Sequence, residues 1–269
     1  MWTQHAAERT ASGTLAIAAH PMGAAIAMAG ELGLAGYEFY VLGRGGAMGD
    51  VKADVIASAL SFFEPGWVRG HYVAGAAKIS PPEAALAWNA RIGQWAETGL
   101  SADLPLRRLC DLLGRVLDAA PLAGAPIFAG WRTMPEPVSL PALTMHRLYG
   151  LRELRGGLHA GAVRAAGLTP LQALLIRTPP LAAPWGWPEP HPDVSGLTSA
   201  WLSAEGATNR AVASLLGCLT EQEAGQLADD IDSVVAHTGM MWWYREDTPA
   251  IQFGPRPGQA QPADRDSRQ

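Results

Sequence analysis

Cysteine is almost missing from this chain. Cys110 and Cys218 are the only two in 269 residues. Two are too few for a disulfide framework, and their isolation fits no metal-binding spacing. Buried free thiols in a reduced, cytoplasmic protein are the expectation. Charge is scarce as well. Asp, Glu, Lys and Arg make up 17% of the residues, below the roughly 25% of ordinary soluble domains, and the formal net charge is −5. Phosphate backbones demand clustered Lys and Arg, so this balance argues against a broad nucleic-acid surface. A chain so poor in charge buries much of itself or hides an apolar face, and a homodimer is expected. Long apolar runs are lacking too. Residues 15–29 are interrupted by His20-Pro21 and are too short for a membrane span. No basic stretch precedes them, so they do not read as a signal peptide.

What the chain does have is alanine and leucine at helical spacing, with few β-branched runs. This predicts a mainly α fold. Helices are expected over residues 16–34 (bent or restarted at Pro21), 50–60 with Asp50 as N-cap, 66–74, 80–98, 104–119, 140–167, 203–216 and 220–235. Ser80 with Pro81 and Glu83, Thr169 with Pro170, and Thr220 with Glu223 mark helix starts. The glycine-rich residues 43–49 read as a tight turn. Residues 123–137 read as a loop and 197–202 as a small hairpin or wing. Pro179, Pro180, Pro184, Pro188, Pro190 and Pro192 bar a regular helix from 178–192. Residues 254–269 have no apolar pattern and are expected to be a disordered tail. The division expected is an N-terminal helical layer, 1–139, packed on a second half, 140–247, that shares its core.

The helix at 140–167 carries the candidate site. At roughly 100° per residue, Arg152, Arg155, Gly156 and His159 fall on one face. Interior glycine costs a helix about 1 kcal/mol, so the pair Gly156-Gly157 needs a reason: a close neighbour or a ligand. As a pocket wall, the guanidiniums would hold a carboxylate or phosphate, and His159 would serve as general acid or base. As packing, Gly156 would admit a helix and the arginines would pair with Glu38, Asp50 or Asp54. His20 is either a core histidine bonded to a carbonyl or a partner facing His159 across a cavity. Arg44 and Met48 complete the proposed opposite wall. Two histidines can ligate haem or a metal, but no Cys, Asp or Glu cluster supports a closed site, so no metal is assigned and the cofactor stays open. Trp185, Trp187 and Trp242-Trp243-Tyr244 are core packing or an aromatic lid.

The segment Leu202-Ser203-Ala204-Glu205-Gly206, followed by Leu219-Thr220-Glu221-Gln222-Glu223, resembles the end of a MarR-type winged helix. In those regulators such an element follows the wing and opens a dimerisation helix. Ala19-His20-Pro21, residues 43–49, Phe63-Glu64-Pro65 and residues 151–159 resemble a bacterial helix-turn-helix-like family without an agreed activity. That family tends to carry histidine, aspartate and glycine where this chain has Leu154, Gly157 and Leu158. The resemblance implies a degenerate MarR-like winged-helix half. Its recognition helix would fall in the proline-saturated segment, where base-reading Arg, Asn and Gln are missing. The expectation is therefore a small-molecule-binding protein, or an accessory enzyme, without DNA binding. The alternative is a ligand-responsive MarR-like transcriptional regulator.

Overall fold

This computed structural model describes residues 2–239. Among them are eleven α-helices, four short 3₁₀ turns and no strand. None of the helices is long and apolar enough to cross a membrane. The Trp242-Trp243-Tyr244 cluster and the tail expected at 254–269 lie outside the described residues.

Helix α1 (Trp2–Ala27) begins well before Ala16 and continues through Pro21 without restarting. Its alanines explain its place at the centre of the fold. Ala7, Ala18 and Ala25 are buried with Ile17, and such small side chains let several helices approach one axis. The neighbours are α5 (Pro81–Gly99), α8 (Leu140–Ala165), α10 (Thr198–Leu215) and α11 (Glu221–Thr238). Arg9 reaches across to Asp229 and Asp232 of α11.

The glycine-rich stretch is not a turn. Residues 43–45 end helix α2 (Gly36–Gly45), and Gly46–Met48 continue it as a 3₁₀ turn. A Cβ at Gly43 would lie 2.7 Å from the Cβ of Trp88, and one at Gly46 only 1.9 Å from the carbonyl oxygen of Pro81. These glycines let α2 close on α5, a packing gain that offsets their helix cost. Asp50 does not cap the next helix: α3 (Ala53–Ala59) starts after Lys52. Helix α4 (Pro65–Ala76) is capped by Glu64, which accepts from the Trp67 amide at 2.5 Å.

Helix α6 (Leu106–Ala119) is amphipathic and buries Leu109, Leu113 and Val116 beside α8. The expected loop at 123–137 contains a short helix, α7 (Pro126–Trp131). Proline sits in its first turn, and Trp131 is anchored by its indole N–H to the His146 carbonyl at 3.0 Å. After α9 (Pro170–Arg177) comes a 3₁₀ turn at Pro179–Leu181, and then no helix until Thr198. No hairpin forms at 197–202, because residues 198–202 are the opening turns of α10. Capping boxes stand at Ser80, Thr169 and Thr220. Cys110 is buried, but Cys218 is exposed at the end of the 3₁₀ turn after α10.

One buried apolar cluster runs from Ala6 in α1 to Val234 in α11 and includes Phe39, Trp88, Leu113, Trp131 and Tyr149. A smaller cluster joins Val163, Leu168, Ala173, Ile176, Trp201 and Ala204. Helix α8 enters both.

Candidate functional site: an arginine-walled cavity along α8

A cavity of about 510 Å³ is lined by residues of both clusters. That volume falls within the usual range for small-molecule sites. Each wall follows from helical spacing. From α1 come Leu15, Ala19, Met22, Gly23 and Ile26, one stripe at intervals of three and four. From α8 come Arg152, Arg155, Gly156 and His159, the face defined by the sequence period. Phe62, Phe63 and Trp185 close an aromatic side, with the Phe63 and Trp185 rings stacked 4.2 Å apart.

The polar wall is built on Glu153. It lies four and eight residues after the buried Tyr149 and Met145, on the core-facing stripe of α8. A carboxylate there must be paired. Arg44 forks it, Nε to Oε1 at 2.9 Å and Nη2 to Oε2 at 2.8 Å, and gives a further bond to the Tyr40 hydroxyl. Arg152 donates to Glu153 Oε1 at 2.6 Å. Burial opposes both the Glu153 and Arg44 charges, but pairing outweighs it: Glu153 sits below its ordinary pKa and Arg44 above. Two guanidiniums therefore share one carboxylate.

Further along α8, Arg155 Nη2 donates to Glu205 Oε2 of α10 at 3.0 Å. His159 stacks on Phe62, with centroids 5.4 Å apart and planes inclined by 29°. Its Nδ1 lies 3.0 Å from the Thr208 hydroxyl and 3.4 Å from Glu205 Oε1. Burial first, and the Arg155 charge second, push its pKa down to about 4, against the pull of Glu205. The ring is held neutral at neutral pH, with one N–H donor and one acceptor nitrogen.

The two glycines have separate reasons. A Cβ at Gly157 would meet the Gly124 carbonyl oxygen at 2.6 Å and Ala125 Cα at 2.7 Å. A Cβ at Gly156 would meet nothing within 4 Å. Packing accounts for Gly157, and Gly156 bares the backbone to the cavity.

Of the seven residues singled out by sequence, five line this cavity: Arg44, Arg152, Arg155, Gly156 and His159. His20 does not. Its Nε2 donates to the Gly239 carbonyl at 2.7 Å and its ring stacks on Trp95, away from His159. Met48 packs against the main core instead. The arginines pair with Glu153 and Glu205, not with Glu38, Asp50 or Asp54; Glu38 binds Lys78 and Asp54 binds Arg69. Glu153, Glu205 and Thr208 were missed. The signal for Glu153 was a charge on an apolar stripe; for Glu205 and Thr208 it was their three-residue spacing on α10. Among the described residues, no group of three or more His, Cys, Asp or Glu side chains can hold a metal ion.

No curated protein and no solved structure matches the chain. A family model described as the Helix-turn-helix family matches residues 9–202. That span covers well over half of the sequence, and the chain belongs to the Helix-turn-helix family.

Proposed function

We propose that this protein binds a small anionic molecule with an apolar or aromatic body in the α8 cavity. One observation carries the reading: among the described residues, and setting aside Arg177, which stands over the Trp201 ring at 5.9 Å, three arginines of the wall meet only two glutamates. A cationic excess enclosed by apolar side chains is costly unless an anion shares it. The bared Gly156 backbone supports the same reading. So do two buried donors in the wall, Arg155 Nε and Trp201 Nε1, which have no acceptor among the described residues. Arg44 gives two bonds to Glu153 and one to Tyr40, whereas Arg152 gives Glu153 a single bond, so Arg152 is the anion contact. A thermal-shift series with small aryl and alkyl carboxylates tests this, because a ligand for the native state alone raises stability. Concentration-dependent shifts that vanish in Arg152→Ala are expected. Shifts that survive the substitution would move the ligand elsewhere.

Family membership favours a second reading, a ligand-responsive DNA-binding regulator. The segment after α9, where a recognition helix would stand, holds only a 3₁₀ turn before Thr198. It holds no Lys or Arg. Gel-shift titrations on genomic fragments decide between the readings; tight, steeply salt-dependent binding would establish the regulator.

A further inference from the structure

Thr208 controls what His159 offers to the cavity. The Thr208 hydroxyl has one proton, and it is given to the Ala204 carbonyl at 2.8 Å. Toward His159 the same oxygen can only accept. The other group near Nδ1, the Glu205 carboxylate, is also an acceptor only. Both neighbours thus require a proton on Nδ1, and in a neutral ring this leaves Nε2 as a bare lone pair. No protein donor among the described residues bonds Nε2, and the ring lines the cavity.

Arg152 and His159 lie seven residues apart on α8, almost eclipsed, with roughly 10 Å of helical rise between them. One end of the site offers the Arg152 guanidinium; at the other, which also carries Arg155, Arg177 and Glu205, His159 Nε2 is an acceptor open to the cavity. Resting on the anion-binding reading above, we propose that the ligand is an elongated acid with a hydrogen-bond donor at its far end. Its carboxylate meets Arg152, and its hydroxyl or amino group donates to His159 Nε2. Thr208 is the positioning residue that holds the tautomer. The flat walls at Phe62, Phe63 and Trp185 suit an aryl ring between the two ends.

Two measurements on the full chain test this separately. The first needs no ligand. Long-range ¹H–¹⁵N spectra of imidazole-labelled protein at pH 7 should show His159 protonated at Nδ1. Thr208→Ser should keep that signature and Thr208→Val should weaken it; a wild-type ring protonated at Nε2 would overturn the proposal. The second is calorimetric titration with 4-hydroxycinnamate, cinnamate and 4-methoxycinnamate. The hydroxy acid should bind about tenfold more tightly than the methoxy acid, the scale of one buried hydrogen bond. His159→Phe should erase the preference and His159→Gln should retain part of it. Equal binding of all three acids, lost in Arg152→Ala, would leave the anion site standing and refute the role of His159. Binding by none of them would overturn the anion site as well.

Discussion

Glu153→Gln is the sharpest perturbation of the α8 wall. The amide keeps the shape of the side chain and removes its charge. Glu153 is 4% exposed and Arg44 8%, so the guanidinium cannot turn to water for relief. One bond of the fork would survive on the amide oxygen, the other would face the amide NH₂, itself a donor, and the counter-charge would be gone. Removing one partner of a buried pair costs about 3–5 kcal/mol, because the other charge is left uncompensated. For a chain of this size each kcal/mol lowers Tm by roughly 2–4 °C, so a drop of about 10 °C is expected. Thermal melts followed by helical circular dichroism at pH 7 measure the Tm, and urea unfolding measures the free-energy loss. The double variant Arg44→Met/Glu153→Leu removes the most buried pair and should recover part of the loss, since buried pairs replaced by apolar groups are often neutral, while Arg152 is left without the carboxylate it shared. Arg152→Ala should cost only about 1 kcal/mol, as Glu153 still has Arg44. A Glu153→Gln loss under about 1 kcal/mol, or a double variant worse than the single, would refute the view that this carboxylate neutralises a trapped charge.

The glycine pair gives a contrast. Gly156→Ala should stabilise the protein by about 0.5–1 kcal/mol, as helix propensity predicts, while narrowing the cavity. Gly157→Ala should destabilise it by about 2 kcal/mol or more, since its methyl would overlap the Gly124 carbonyl; equal effects in thermal melts would contradict the division of roles. Acid should act first through histidine. His146 and His159 are held near pKa 4 by burial, against about 6.5 when unfolded. The folded state then binds fewer protons than the unfolded state, so stability is full above pH 6.5 and falls as pH drops toward 4, by up to about 3 kcal/mol for each histidine. The Glu153 contribution has the same sign but a lower window, lost only as pH falls through its depressed pKa. A urea midpoint that stays flat from pH 7 to 4 would contradict the histidine assignment.

Much of this architecture was legible because helices advertise themselves locally. The caps at Ser80, Thr169 and Thr220 need only a hydroxyl and an acceptor three residues on. The shared face of Arg152, Arg155, Gly156 and His159 follows from helical period alone. What failed was knowledge of what stands opposite. His20 is on the wrong side of α1 because the rotation of one helix against another depends on the whole core. Residues 43–49 were misread since glycine signals a break locally, whereas here Trp88 and Pro81 demand its small size. The hairpin expected at 197–202 does not form, since Thr198-Ser199-Ala200-Trp201-Leu202 lacks the alternation of a strand and opens α10 instead. Glu153 was overlooked as one charge among neighbouring arginines, when its register beneath Met145 and Tyr149 marked it as buried.

The proline-rich segment after α9 has a kinetic consequence. It is stitched to the corner between α3 and α4 by two bonds, from the Glu64 amide to the Trp185 carbonyl and from the Trp187 indole to the Phe62 carbonyl, each 3.0 Å. Gly186, with φ at +89°, lets its backbone lie against Trp67. Trp185 on that strap and Phe62 and Phe63 beneath it are all cavity wall. Parting the two surfaces therefore opens the aromatic side of the chamber and frees the Glu64 amide in one event. Solvent exchange at that single amide becomes a clock for how often this side of the chamber opens, readable with the cavity empty or filled.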